Sequence, residues 1–238
     1  MTNRNLNRMI KSIALALTII FSTISFSQRD STRTFDIGLE FRPRFEFRDG
    51  YKELPSDSLN PAFFVSSRSR LSLDFKQKKS VFHFSVQDVR VWGQNGNSPA
   101  VGSFSVFETY ASFPIKDHWK IKLGRQAVEL DNGRLFSRAN WNQYSRAHDG
   151  IRLSYKIENL TTDFMLFYNQ NGETIFGNNY AGSFYKYLVN HYLIYDIGKN
   201  WKLKTLNSFD GYQSPTNENT VYVRGTSGGR LEYKMKKF

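Results

Sequence analysis

The chain contains no cysteine, which excludes a disulfide scaffold, a cysteine-ligated zinc site and a lipid-modified N-terminal cysteine. Histidine is scarce as well. His83, His118, His148 and His191 are scattered without ligand spacing, so neither a metal site nor a cofactor is expected. A mean hydropathy of −0.53 leaves no room for a bundle of membrane helices. Beyond residue 27 no segment carries a helical period. The glycines form no phosphate loop and the serines sit in no nucleophile elbow. Asp149 beside His148 lacks a nucleophile or metal triad to work with, so the chain does not read as an enzyme.

Aromatic residues, in contrast, are abundant. Hydrophobic content is 39%, low for a globular core, yet 21 Phe and 13 Tyr bring the aromatic share to 16%. The N-terminus is a targeting segment. Arg4, Arg8 and Lys11 precede the apolar run SIALALTIIF, and Ser25 and Ser27 offer a cleavage site before Gln28. That order predicts a secretory signal peptide over residues 1–27, whose apolar core falls short of the ~20 residues needed to span a bilayer. Its removal takes three basic residues and no acid, lowering the formal charge from +12 to +9. An exported chain this basic suits an anionic partner, polysaccharide or lipid headgroup, and not nucleic acid.

The stretch TFDIGLEFRPRFEFR sets the pattern for the rest. Phe35, Ile37, Leu39, Phe41, Phe45 and Phe47 alternate with Asp36, Glu40, Arg42, Arg44, Glu46 and Arg48. A period of two is that of a strand whose successive side chains point to opposite faces. The run is far longer than the usual strand of about 5–6 residues. RSRLSLDFK, HWKIKLG, GIRLSYKI, WKLKT and the segment from Val221 to Met235 repeat the alternation. SVFHFSVQDVRVWGQ changes parity between Val86 and Val89, which predicts a β-bulge near Gln87 and Asp88. SFSVFETYASF, DFMLFYNQ and FYKYLVNHYLIYD read as strands with ambiguous facing. Ten strands are predicted.

The connections between them alternate in length. KQKKS, PIKDH, KIENLT and IGKN are short; DGYKELPSDSLNPA, GQNGNSPAVG, the segment 128–148, NGETIFGNNYAGS and DGYQSPTNENT are long. Outer-membrane barrels have short periplasmic turns on one rim and longer extracellular loops on the other. The fold class read from the chain is therefore all-β, an antiparallel up-and-down transmembrane β-barrel over residues 28–238, located in the outer membrane. The competing fold is a secreted antiparallel sandwich whose charged face is simply solvated.

Three segments, QDVRVWG (Gln87–Gly93), KLGRQAVELDNGRLF (Lys122–Phe136) and WNQYSRAHDGIRLSY (Trp141–Tyr155), resemble the alginate-export family of outer-membrane porins. With the strand rhythm, the resemblance extends from about Phe35 onward. It implies a closed barrel of eighteen strands that passes anionic uronate polymers such as alginate through an arginine-lined lumen. Ten strands supply a little over half of such a wall. The final KMKKF resembles the lysine-bearing short turns more than a closing strand, and the parity of Phe238 is wrong for the apolar face. The chain is accordingly expected to be an incomplete piece of a larger barrel.

Parity alone marks Arg42, Arg44, Arg48, Arg68, Arg70, Lys122 and Arg152 as inward-facing, and the family-like segments add Arg90, Arg125, Arg134 and Arg146. Guanidinium forks match carboxylates, and rings of basic side chains select anions. Interspersed acids (Asp36, Glu40, Glu46, Asp74, Asp88, Asp149) would keep a polyanion from binding too tightly. Each arginine has a second possible role, pairing with a neighbouring acid to brace the wall. Glu129, Asp131 and Arg134 lie on the longest connection, which either folds inward as a constriction or stays outside as a surface loop. An anion-passing porin is the function expected. The alternatives are a closed ten-stranded barrel acting as an enzyme or as an adhesin.

Overall fold

The computed structural model describes residues 33–55, 58–94, 96, 103–180, 182–217 and 219–235. The expected signal peptide lies outside them. Ten strands follow in order: β1 (Arg33–Arg48), β2 (Ala62–Gln77), β3 (Ser80–Val91), β4 (Phe104–Lys116), β5 (Trp119–Gln126), β6 (His148–Lys156), β7 (Leu160–Tyr168), β8 (Tyr187–Ile197), β9 (Trp201–Gln213) and β10 (Val221–Tyr233). They form one sheet in sequence order, and no helix occurs among the described residues. Pairing from β2 to β10 is antiparallel throughout. β1 runs against β2 as well, since Asp36 meets Lys76 while Glu40 meets Arg68 and Arg70. Short turns follow β2, β4, β6 and β8, and the long connections all lie at the opposite end. The sheet is the up-and-down meander expected, but it is open. β1 and β10 each have one edge without a strand partner among the described residues.

Burial along β1 is inverted relative to a soluble strand. Phe35, Ile37, Leu39, Phe41, Phe45 and Phe47 are 59% to 83% exposed, while Glu40, Arg42, Arg44, Glu46 and Arg48 are half-buried. In water each such apolar side chain forgoes about 1.5–3 kcal/mol of burial. The same outer face continues across the sheet through register partners: Phe75 and Phe82, Leu166 and Val189, Val189 and Phe209, Leu203 and Leu231. At the short-turn end it carries a row of rings. Trp119 and Tyr155 lie 4.8 Å apart, and Trp201 and Tyr233 4.7 Å. Tyr168 and Tyr187 are partners at the other end.

One expectation is corrected and one ambiguity about facing is resolved. The bulge is on β4, not near Gln87 and Asp88 of β3. The β2–β3 register runs unbroken from Ser66 to Gln77, whereas Ser85 opposes Glu108 and Val86 opposes Val106, leaving Phe107 as the extra residue. Val89 breaks the apolar parity of β3 because it is buried on the charged face, opposite Arg68. The ambiguous strands β7 and β8 turn Met165, Phe167, Leu188 and Tyr192 inward and leave Phe164 and Leu166 exposed outside.

Candidate functional site

The connection from β5 to β6, residues 127–147, lies on the inner, charged face. Its backbone is held by arginines. Five consecutive carbonyls, from Asn140 to Tyr144, accept hydrogen bonds from side chains of the sheet. Arg42 donates to the oxygens of Asn140 and Asn142, Arg44 to Trp141 at 2.6 Å, Arg68 to Gln143 at 3.3 Å and Gln87 to Tyr144 at 2.9 Å. A loop laid against a sheet leaves carbonyls that neither water nor a ladder satisfies, and the five-donor guanidinium is suited to collect them. Arg68 is fully buried; it also donates to Ser145 Oγ at 2.8 Å, to Asn140 Oδ1 at 2.9 Å and to the Glu40 carboxylate. Arg70 stacks 3.7 Å over the bulged Phe107 and bonds Gln87 at 2.7 Å.

The other half of the connection is anchored differently. Val128 and Leu130 pack into an apolar cluster with Met165 and Phe167 of β7 and Leu188 and Tyr192 of β8. Glu108 accepts from the Ala127 amide at 2.8 Å and from Arg138 at 2.9 Å. Asp131 pairs with Lys204 of β9 at 3.2 Å and with Arg230 of β10 at 2.5 Å. One connection therefore touches both edge strands. A flat ten-stranded sheet would hold its edges ~43 Å apart at ~4.8 Å per strand. The connection is folded back on itself, with the Leu130 amide bonded to the Phe136 carbonyl at 3.0 Å. It cannot bridge that distance, so the sheet curls around it. Gly124, within β5 three residues before the connection, takes φ +114°, and a Cβ there would collide with the Thr109 carbonyl. Its register partner Gly150 lies equally close to the Leu166 carbonyl.

The residues singled out in the sequence separate into groups. Arg42, Arg44, Arg68 and Arg70 meet around the connection. Arg152 makes a two-pronged pair with Asp163 at 3.0 and 2.7 Å, beside Lys122, whose ammonium sits 4.1 Å from the Tyr110 ring. Arg48 pairs with Glu46 and lies over the rings of Tyr51 and Phe64. Arg90 is on the outer face, because its register partner is Ser67 while Val89 opposes Arg68; it pairs with Asp88 at 2.6 Å. Arg125 lies near the end of β5, after Gly124, and pairs with its register partner Asp149 at 2.5 Å. Arg134 and Arg146 are exposed on the connection, and neither guanidinium has a partner among the described residues. The acids fall in with the bracing role: Asp36 with Lys76, Glu46 with Arg44 and Arg48, Asp74 with His83 at 2.8 Å.

Next to the apolar cluster a cavity of 760 Å³ opens between the connection, the β7–β8 loop and strands β9 and β10. Arg125, Arg146 and Arg224 border it, together with the rings of Phe136, Phe184 and Tyr212. Arg224 is paired with Asp210 at 2.6 Å. His148 Nδ1 and the Tyr185 hydroxyl share a hydrogen bond of 2.6 Å. Burial raises the Tyr185 phenol well above its ordinary range, so it keeps its proton. No family model and no curated protein matches the chain. Three features of the site escape pattern reading: the carbonyl clamp, the inward apolar cluster and the cavity. Each joins residues distant in sequence, and the sequence signals nearest to them are the parity change between Val86 and Val89 and the ambiguous facing of DFMLFYNQ.

Proposed function

We propose that the chain forms wall of an outer-membrane porin for anionic solutes. The observation that carries the reading is the inverted sheet. Its outer face is largely apolar, with Arg90 and Asp88 near the long-connection end and a few polar residues such as His191 and Asn207 among the apolar ones; its inner face is charged, and an inner connection lies in the space the sheet curls around. Rows of Trp and Tyr at both ends of the outer face match the aromatic girdles of membrane barrels. Tyr187 and Tyr195 of β8 are eight residues apart, about 27 Å along a strand rising ~3.4 Å per residue, which is about 19–22 Å along the normal at the ~35–45° tilt of such barrels, against their ~25 Å apolar band. The free edges of β1 and β10 are costly in lipid, where each unpaired backbone group loses several kcal/mol. Further strands pairing with those edges would complete a larger barrel, and the alginate-export resemblance makes eighteen strands and a polyuronate cargo the first arrangement to test.

Most inner arginines are engaged in bracing, so anion preference falls to those left free, Arg134 and Arg146. The test is a reversal potential across a planar bilayer under a salt gradient, using the protein purified from outer membranes. An anion preference is expected, reduced in the double variant Arg134→Gln, Arg146→Gln. A cation-selective channel, or no conductance at all, refutes the porin.

A further inference from the structure

We propose that the cavity beside the β5–β6 connection is a binding site for a small organic monocarboxylate with an apolar ring body. Charge sets the first half of that specificity. Of the three guanidiniums at the cavity, Arg125 is neutralised by Asp149 and Arg224 by Asp210. Arg146 has no acid partner among the described residues. One positive charge is left over, which suits one carboxylate. A phosphate-like dianion would need two, and a polyuronate would need a file of them along its length.

The lining sets the second half. Leu135, Phe136, Phe184 and Leu188 supply an apolar wall opposite the guanidiniums, and Tyr180 and Tyr212 add rings with polar tips. Such a mixture, apolar walls with a few placed polar groups in some hundreds of Å³, is the usual make-up of a small-molecule site. A purely hydrophilic anion would leave that wall wet and gain nothing from it. Asn142 also lines the cavity and offers an amide donor, whereas the Asn169 amide already donates to the Tyr185 carbonyl. His148 contributes too. Its Nδ1 is occupied by the hydrogen bond shared with the Tyr185 hydroxyl, so Nε2 is the ring nitrogen left for another partner. Binding requires no conduction, so this inference goes beyond the porin reading and can stand if that reading falls.

Calorimetric titration of the detergent-extracted protein with benzoate, acetate and benzyl alcohol tests it. Benzoate is expected to bind at least about tenfold more tightly than acetate, which has the charge without the ring, and than benzyl alcohol, which has the ring without the charge. Arg146→Gln should weaken benzoate by about tenfold or more, Arg146→Lys should retain most of the affinity, and Arg90→Gln on the outer face should leave it unchanged. Because the Arg146 side chain makes no contact that holds the fold, far-UV circular dichroism of all three variants should match the parent. Benzoate affinity that is unaltered in Arg146→Gln, equal for acetate, or lost equally in Arg90→Gln overturns the proposal. Conductance is not a readout here, so a failed channel measurement and a failed titration remain separate results.

Discussion

Arg68 shows how a charge comes to be fully buried in this chain. Its fork is occupied by Glu40, Asn140, Gln143 and Ser145, so the cost of desolvation is offset by several charge-assisted hydrogen bonds. Replacement by Met keeps the volume and removes the donors. Because Glu40 is partly exposed and keeps its water, the loss falls mainly on the acceptors of the connection. Arg68→Met is expected to cost about 2–4 kcal/mol, read from urea unfolding in detergent. Arg42→Lys should cost about 1–2 kcal/mol, because an ammonium cannot serve the Asn140 and Asn142 carbonyls and Gln143 together. Arg90→Gln is expected to change stability by less than ~0.5 kcal/mol, since its pair with Asp88 is exposed. Equal effects at positions 68 and 90 would contradict the clamp.

In the porin proposed above, the β5–β6 connection is the element that would limit passage. It is tied at one end by guanidiniums and at the other by Val128 and Leu130 in the apolar cluster, and the two kinds of anchor fail differently. Leu130→Ala removes buried apolar contacts and is expected to cost about 2–4 kcal/mol; single-channel recording should then show a larger or noisier conductance as the connection loosens. A quiet, unchanged conductance would mean that it does not limit the passage. Gly124→Ala strains a left-handed backbone position and drives a Cβ into the Thr109 carbonyl. A loss of about 1–3 kcal/mol is expected, and it gives a physical reason for the glycine in KLGRQ.

For the whole molecule the question is which solvent meets the outer face. Phe41 is exposed on β1, so in water Phe41→Arg would change stability by no more than ~0.5 kcal/mol. Against lipid near the bilayer midplane the same change is expected to cost ~2–4 kcal/mol. Unfolding of the two proteins from phospholipid vesicles decides between these, and a neutral result would return the sheet to water. The open edges have their own test. The chain lacks cysteine, so one cysteine placed in β1 and one in β10 form a clean reporter. If further strands separate the two edges, oxidation should yield no cross-link; an efficient cross-link would show the sheet closing on itself.

The sequence by itself determined the ten strands, their up-and-down order, the alternation of short and long connections and the inward facing of Arg42, Arg44, Arg68, Arg70 and Arg152. These follow from a period of two and from turn chemistry, both local along the chain. It did not determine which arginines are free. Bracing and substrate contact use the same residue type on the same face, and only the placement of the β5–β6 connection separates Arg68, enclosed by hydrogen-bond partners, from Arg146, whose guanidinium has none among the described residues. Nor could parity assign β7 and β8, because Met165, Phe167 and Leu188 are as apolar as their lipid-like neighbours and face inward solely to receive Val128 and Leu130. An apolar residue signals that it is buried in something; tertiary structure decides whether that is the outer surroundings or the underside of a loop arriving from forty residues away along the chain.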